Sequence, residues 1–353
     1  MDIKELLLHA KENHASDIFI IAGLPMSYKA MNKIHQIDET ALTSADTEKL
    51  VYQIYELANK RSIDHFLDKG DDDFSFSLAG ISRFRVSTYK QRGSLAAVIR
   101  IITFDLPDPQ EMHIPQDIIE LVDIQKGLVL VTGPAGSGKT TTLSCMINHI
   151  NQTQNKHIIT LEDPIEYLHS HKQSIVSQRE ISIDTESYVT ALRASLRQSP
   201  DVILLGEMRD YETMNVAITA AETGHTIIST LHTIGAAKTI DRIIDVFPSS
   251  QQHQIAVQLS LTLQAVVCQQ LVPALDGTLV PAFEIMTMTP AIRNLIRENK
   301  IHQIDGMIAS SSKHNMISMD TSLYNLYKNN IISDKTALNY STNPEMMKKK
   351  LNL

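Results

Sequence analysis

The sequence predicts an α/β protein in which a phosphate-binding domain on a parallel sheet follows a smaller α+β domain. Three observations carry this reading. From Gly127 onward, near-continuous apolar runs alternate with helix-forming stretches, as in strands buried on both faces of a parallel sheet. One run, Leu128–Thr132, leads into GPAGSGKT at residues 133–140, a complete G-x-x-x-x-G-K-[ST] loop. The first hundred residues have a different rhythm, with short strand candidates around one helix.

In that first domain, Asp17–Ala22 and Met26–Met31 read as strands separated by the turn Gly23-Leu24-Pro25. Ser44-Ala45-Asp46-Thr47 opens a helix reaching about Asn59, with Leu50, Val51, Ile54 and Leu57 on one face. Phe74–Leu78, Arg83–Tyr89 and Ala96–Ile101 are three more strands, with Gly80 and Arg92-Gly93 at hairpin positions. These elements set the first domain at residues 1–103. Residues 104–115, FDLPDPQEMHIP, hold three prolines and neither period, and are expected to form a linker. The second domain is expected over residues 116–353. Its strands are Leu128–Thr132, His157–Leu161, Val202–Leu205 and Thr226–Leu231, with helices Lys139–Ile150, Ser187–Arg197 and Tyr211–Glu222 between them. Short strands follow from about Gln264, then a helical carboxyl-terminal third.

Each residue type in the loop has a chemical reason. Gly133, Pro134, Ala135, Gly136, Ser137 and Gly138 form a turn whose glycines let several backbone N–H groups face a phosphate. The helix starting near Lys139 adds its positive end. Lys139 supplies a point charge for the outer phosphates, and the Thr140 hydroxyl, followed by Thr141, suits Mg²⁺. ATP with Mg²⁺ is the expected ligand. Hydrolysis also needs a group that orients water and one that holds the metal. Val202–Leu205 ends in Gly206-Glu207 and His157–Leu161 in Glu162, so both strands deliver an acid at their carboxyl ends. Gly206 stands where many such enzymes carry Asp, which leaves Glu207 to reach the metal through water. The reading favours Glu162 for the water and Glu207 for the metal, although spacing leaves the base open. His225 and His232 bracket the strand Thr226–Leu231, and His232, at its carboxyl end, is the candidate γ-phosphate sensor.

Composition limits the remaining classes. A net charge of −8 argues against sequence-independent nucleic-acid binding, so no stable nucleic-acid partner is expected. Two cysteines, Cys145 and Cys268, lie in apolar stretches and exclude a thiolate zinc site. No run approaches the length of a membrane span, and no membrane insertion is expected; the reading is cytoplasmic.

Taken in order, GPAGSGKTTT, ITLEDPIEY, DVILLGEMRD and TGHTIISTLHT resemble the Walker A, Asp-box, Walker B and His-box segments of the secretion-type ATPase superfamily. AIRNLIRENKIHQI (Ala291–Ile304) and TIDRIIDVFP (Thr239–Pro248) further resemble the type IV pilus retraction ATPases, the PilT family. The resemblance implies a RecA-like P-loop ATPase domain behind a PAS-like domain, in a homohexameric ring with nucleotide at subunit interfaces. It implies a motor for pilus retraction and twitching motility, acting on an inner-membrane pilus platform protein from the inner face of the membrane. It also gives a role to strand arginines: Arg83, Arg85, Arg92 and Arg100 lie where the family places arginines that reach the γ-phosphate. On the helix begun by Thr289-Pro290, Ile292, Leu295 and Ile296 face the core, and the resemblance makes a working surface of Arg293, Asn294 and Arg297. Gln198-Ser199 departs from the acidic residues usual before that proline, and Thr140 replaces a common serine. An assembly, secretion or DNA-uptake ATPase would share this site; the short amino terminus and the AIRNLIRE segment favour retraction. A RecA-like nucleic-acid motor and a nucleotide-gated module without turnover are the remaining alternatives.

Overall fold

The computed structural model describes residues 2–30, 33–78, 80–102, 105–310 and 316–352. Met31, Thr103 and Phe104, which end the expected strand, first domain and start of the linker, lie outside the described residues. The chain divides into two units, Met1–Asp105 with Glu166–Leu168, and Leu106–Ile165 with His169–Leu353.

The first unit starts with α1 (Ile3–Glu12), then β1 (Asp17–Ile20), β2 (Pro25–Ala30) and β3 (Lys33–Ala41). Helices α2 (Ser44–Leu57) and α3 (Asp64–Lys69) precede β4 (Asp71–Leu78), β5 (Ser82–Gln91) and β6 (Ser94–Ile102). The cap of α2 is Thr43, one residue before the expected start; its side chain accepts from Asp46 N and Asp46 answers back. The six strands form one antiparallel sheet in the order β3-β2-β1-β6-β5-β4. Leu50, Val51, Ile54 and Tyr55 of α2 join Phe74, Phe76, Phe84 and Val86 in its core. Strand β3 was not expected. Its KIHQIDETA is exposed along nearly its whole length, so it carries no apolar face for a period to reveal.

The second unit opens with α4 (Gln116–Ile119), β7 (Gly127–Thr132), α5 (Lys139–Thr153), β8 (His157–Glu162) and β9 (Ile175–Glu180). It continues through α6 (Tyr188–Ser195), β10 (Val202–Leu205), α7 (Tyr211–Glu222), β11 (Thr226–Leu231), α8 (Ala236–Val246) and α9 (Ser249–Thr262). Then come the long strands β12 (Leu263–Pro273) and β13 (Leu279–Thr287). Helices α10 (Pro290–Arg297), α11 (Ile304–Ser310), α12 (Met319–Lys328), α13 (Asp334–Tyr340) and α14 (Pro344–Leu351) close the chain. The seven strands run in the order β13-β12-β7-β11-β10-β8-β9, with β12 to β9 parallel and β13 antiparallel at one edge. Every residue of β7, β10 and β11 is buried, which explains their unbroken apolar spelling. One core holds Leu128, Leu130, Ile203 and Leu205, and another holds Val131 with Val202 and Leu204, so alternate residues serve the two faces.

Residues Leu106–Pro115, within the stretch expected as a linker, fold with the second unit. Asp108 accepts from Gln110 N and Glu111 N, and Ile114 is buried beside Ile118 and Val122. Strand β9 also escaped the sequence reading: IVSQRE lies at the sheet edge, with only Val176 and Glu180 buried. Among the described residues, no helix is long and apolar enough to cross a membrane.

Candidate functional site

The phosphate loop leaves the sheet at the carboxyl end of β7. Gly133 must be glycine: its φ is +146°, and a Cβ there would come within 2.1 Å of the Gln269 carbonyl oxygen. Gly138, with φ +84°, starts α5 in the left-handed region. Lys139 follows, buried, its Nζ donating to the carbonyls of Gly133 and Pro134 at 2.9 Å each. Burial pulls this ammonium below its ordinary 10.5, and the nearby Glu207 charge pulls the other way. Pro134, Ala135 and Gly136 are exposed at the tip, while Thr140 and Thr141 are half-buried on the first turn of the helix. Ser137 Oγ is buried with no hydrogen-bond partner among the described residues, a polar atom left over inside the loop.

The strand order ranks the other residues by distance from the loop. His232 follows β11, next to β7; Glu207 follows β10, two strands away; Glu162 ends β8, three away. At about 4.8 Å per strand, these are offsets of roughly 5, 10 and 14 Å. Thr230 Oγ1 donates to Gly206 O at 2.6 Å, and Met208 N donates to Thr230 O at 3.2 Å, tying the segment that carries Glu207 to β11. Glu207 Oε2 then meets Arg209 Nε at 2.7 Å and His232 Nε2 at 3.3 Å. The bond to Glu207 raises the Arg209 guanidinium above its ordinary value. Glu162 is buried, its Oε1 accepting from Thr160 Oγ1 at 2.6 Å and Gln178 Nε2 at 3.2 Å. Lys139, Glu207 and His232 therefore converge, and Glu162 stands further along the same edge.

His225 does not join them. It lies at the other end of β11, just past α7, its Nδ1 3.1 Å from the Ala220 carbonyl in the last turn of that helix. Gln198 and Ser199 are likewise remote from the strand carboxyl ends; their carbonyls face His157 Nδ1 at 3.0 and 3.3 Å.

Within the first unit, Arg83 and Arg85 share one face of β5, opposite the face that buries Phe84 and Val86. Arg85 pairs across the sheet with Arg100 on β6, so three of the named arginines form one basic patch. Arg100 Nε donates to Asp17 Oδ1 at 3.1 Å. Arg92 sits apart at the β5–β6 hairpin, with φ +47°.

The family model for type II/IV secretion system proteins matches residues 1–300. The type IV pilus retraction ATPase PilT of Pseudomonas aeruginosa is 42% identical over 345 residues, covering 98% of this chain and 99% of that protein. The chain belongs to the PilT family of secretion-type ATPases. A twitching motility protein of Neisseria gonorrhoeae is 47% identical over 276 residues, covering 78% of this chain and 74% of that one. The solved structure of the pilus retraction motor PilT with bound ADP superposes with a TM-score of 0.90 at 43% identity, covering 99% of both chains.

In this PilT-family chain, several neighbours of the site carry no motif of their own. Gln269 on β12 packs on Gly133 and accepts from Thr142 Oγ1 at 2.7 Å. Tyr188 explains Gly206: a Cβ at that position would lie 2.7 Å from the Tyr188 hydroxyl, so an Asp there would have to displace it. Burial, then the charges of Glu207, Asp163 and Glu162, hold that phenol protonated well above its ordinary range. Arg293, read as part of a polar working surface, instead turns inward. Its NH1 donates to Ser260 O at 2.5 Å and Leu261 O at 3.2 Å, and its NH2 to Gln264 Oε1 at 3.2 Å. It thereby serves orphan carbonyls at the end of α9, leaving Asn294 and Arg297 as the exposed polar residues of that helix. Only the proximity of Arg293 to a helix end in the fold, not its spacing, signals this.

Proposed function

We propose that this chain hydrolyses ATP to drive type IV pilus retraction, as a homohexameric motor acting on an inner-membrane pilus platform protein. The observation that carries the reading is the match to PilT over 98% of this chain and 99% of that protein, on a chain whose Glu207 and Lys139 converge at the phosphate loop. The loop Gly133–Thr140 binds the phosphates through its N–H groups, with Lys139 leaving its carbonyl partners for the outer phosphates. The unpaired Ser137 hydroxyl supports a ligand in the loop.

The site chemistry also suits Mg²⁺, since Thr140 and Glu207 offer hard oxygen donors and such ions keep several waters. When bound, the ion would neutralise charge on the outer phosphates. Strand order supports Glu207, closer to the loop than Glu162, as the residue that orients the attacking water. Glu162 lies one strand further from the loop, its Oε1 already engaged by Thr160 and Gln178. His232 reports the γ-phosphate through its contact with Glu207. Arg83, Arg85 and Arg100 serve the site of a neighbouring subunit, where a fixed guanidinium fork stabilises charge on a transferring phosphoryl group.

Phosphate release measured against protein concentration, with molecular mass followed in parallel, tests the motor reading. Activity should rise as the ring forms and vanish in Lys139→Ala. Full activity in a persistent monomer would overturn the shared site.

A further inference from the structure

Gln269 lies against the phosphate loop at two points and against the helix behind it at a third, although it stands 127 positions along the chain from Thr142, whose side chain it binds. It is buried on β12, one residue beyond Cys268, which pairs with Thr132 at the end of β7. That register sets Gln269 level with Gly133, where the chain leaves the sheet. Its main-chain oxygen lies where any Cβ on Gly133 would have to go, at 2.1 Å. Its Nε2 stands 2.9 Å from the Cβ position of Gly138, the residue that starts α5. Its Oε1 accepts from the fully buried Thr142 hydroxyl at 2.7 Å, one turn into the helix beyond Lys139.

One residue therefore touches the first glycine of the loop, its last glycine, and the helix whose positive end faces the phosphates. We infer that Gln269 is a positioning residue for nucleotide binding, holding the loop between β7 and α5 in its phosphate-receiving curvature through Thr142. This rests on the reading of Gly133–Thr140 as the nucleotide site. A loop whose N–H groups must all point inward binds tightly only when it is already shaped, because the cost of ordering it otherwise comes out of the binding energy. Breaking the Gln269–Thr142 bond leaves a buried amide or hydroxyl unpaired and releases the helix start from the strand.

The test uses the full chain with a fluorescent ADP analogue and Mg²⁺, together with steady-state ATP hydrolysis. Gln269→Met keeps the length without the amide, and Thr142→Val keeps the branching without the hydroxyl. Each should weaken analogue binding about tenfold, the loss expected for one buried hydrogen bond. The double variant should lose no more than either single one, because both remove the same bond. KM for ATP should rise while kcat at saturation changes less than twofold, and Thr142→Ser should recover the affinity that Thr142→Val loses. Binding within twofold of the parent chain in Thr142→Val, or losses that multiply in the double variant, would overturn the inference. If Gln269→Met does not fold, the Thr142→Val and Thr142→Ser pair decides by the same thresholds. Lys139→Ala separates the two levels. If it binds the analogue as the parent does, the nucleotide-site reading fails; if it loses binding while Thr142→Val does not, only the role of Gln269 fails.

Discussion

Arg209 Nε donates to Glu207 Oε2 at 2.7 Å, and the two partners differ sharply in exposure: 74% of the Arg209 side chain is exposed, against 13% for Glu207. The carboxylate is thus set into the strand end, while the cation reaches it from solvent. An ion pair of this kind contributes roughly 0–1 kcal/mol, so Arg209 is not what fixes Glu207 in place. The bonds of Thr230 to Gly206 and of Met208 to Thr230 fix it instead.

Glu207→Gln should therefore lower phosphate release at least about 100-fold with ATP binding nearly unchanged, the loss typical of a positioned base. Arg209→Ala should lower it less than about fivefold. Quench-flow phosphate assays beside nucleotide titrations separate the two. Equal losses in both variants would mean that Arg209, not the strand end, sets the carboxylate.

The two arginines of α10 should behave differently although they share a helix. Arg293→Ala removes charged donors from three acceptors around the end of α9, and should cost about 1–3 kcal/mol, visible as a lower thermal midpoint. Arg297→Ala, on the exposed side, should change stability by less than about 0.5 kcal/mol. If Arg297 belongs to a working surface, its loss impairs twitching in cells while the purified chain melts normally. Equal melting losses in both would refute this division.

Glu284 gives the chain a pH signature. It is buried on β13, accepting from Ala236 N at 2.8 Å and Met319 N at 3.5 Å, at the starts of α8 and α12. Burial holds its carboxyl above the ordinary 4.5, against the lowering effect of those bonds. The folded chain thus keeps a proton on Glu284 that the unfolded chain releases from about pH 4.5 upward. Stability from this group is greatest below that pH and is lost as pH rises through the folded value. The melting midpoint of the parent chain minus that of Glu284→Gln should therefore increase on acidification from pH 7 toward pH 4.5. A difference that stays flat or falls would show that the bonds outweigh burial.

What the sequence disclosed depended on whether a requirement was local. The loop at 133–140 is legible because phosphate geometry demands glycines, lysine and a hydroxyl within eight consecutive residues. The strands β7, β10 and β11 are legible because burial on both faces forbids polar residues along them. Gln269 was not, since its contacts are fixed by which strand lies beside β7, and no spacing along the chain records that. Tyr188 was hidden for the same reason, so Gly206 read as a missing acid rather than as space for a phenol. Arg293 misled because the polar side of an amphipathic helix looks the same whether it meets water or a neighbouring helix end. Strands β3 and β9 lie at sheet edges, where little apolar surface is required.

The arginine patch of the first unit supplies a last test, because its geometry costs stability. Arg85 stands directly opposite Arg100 in the antiparallel register of β5 and β6, and like charges so placed repel. Asp17, bonded to Arg100, offsets only part of this at an exposed site. Arg85→Gln should therefore leave the thermal midpoint unchanged or slightly higher. If the patch serves a neighbouring nucleotide, the same variant should lower phosphate release by the assembled ring at least tenfold, with ring formation intact by mass. A normal midpoint with normal turnover would remove Arg85 from the site, and a lowered midpoint would make its role structural.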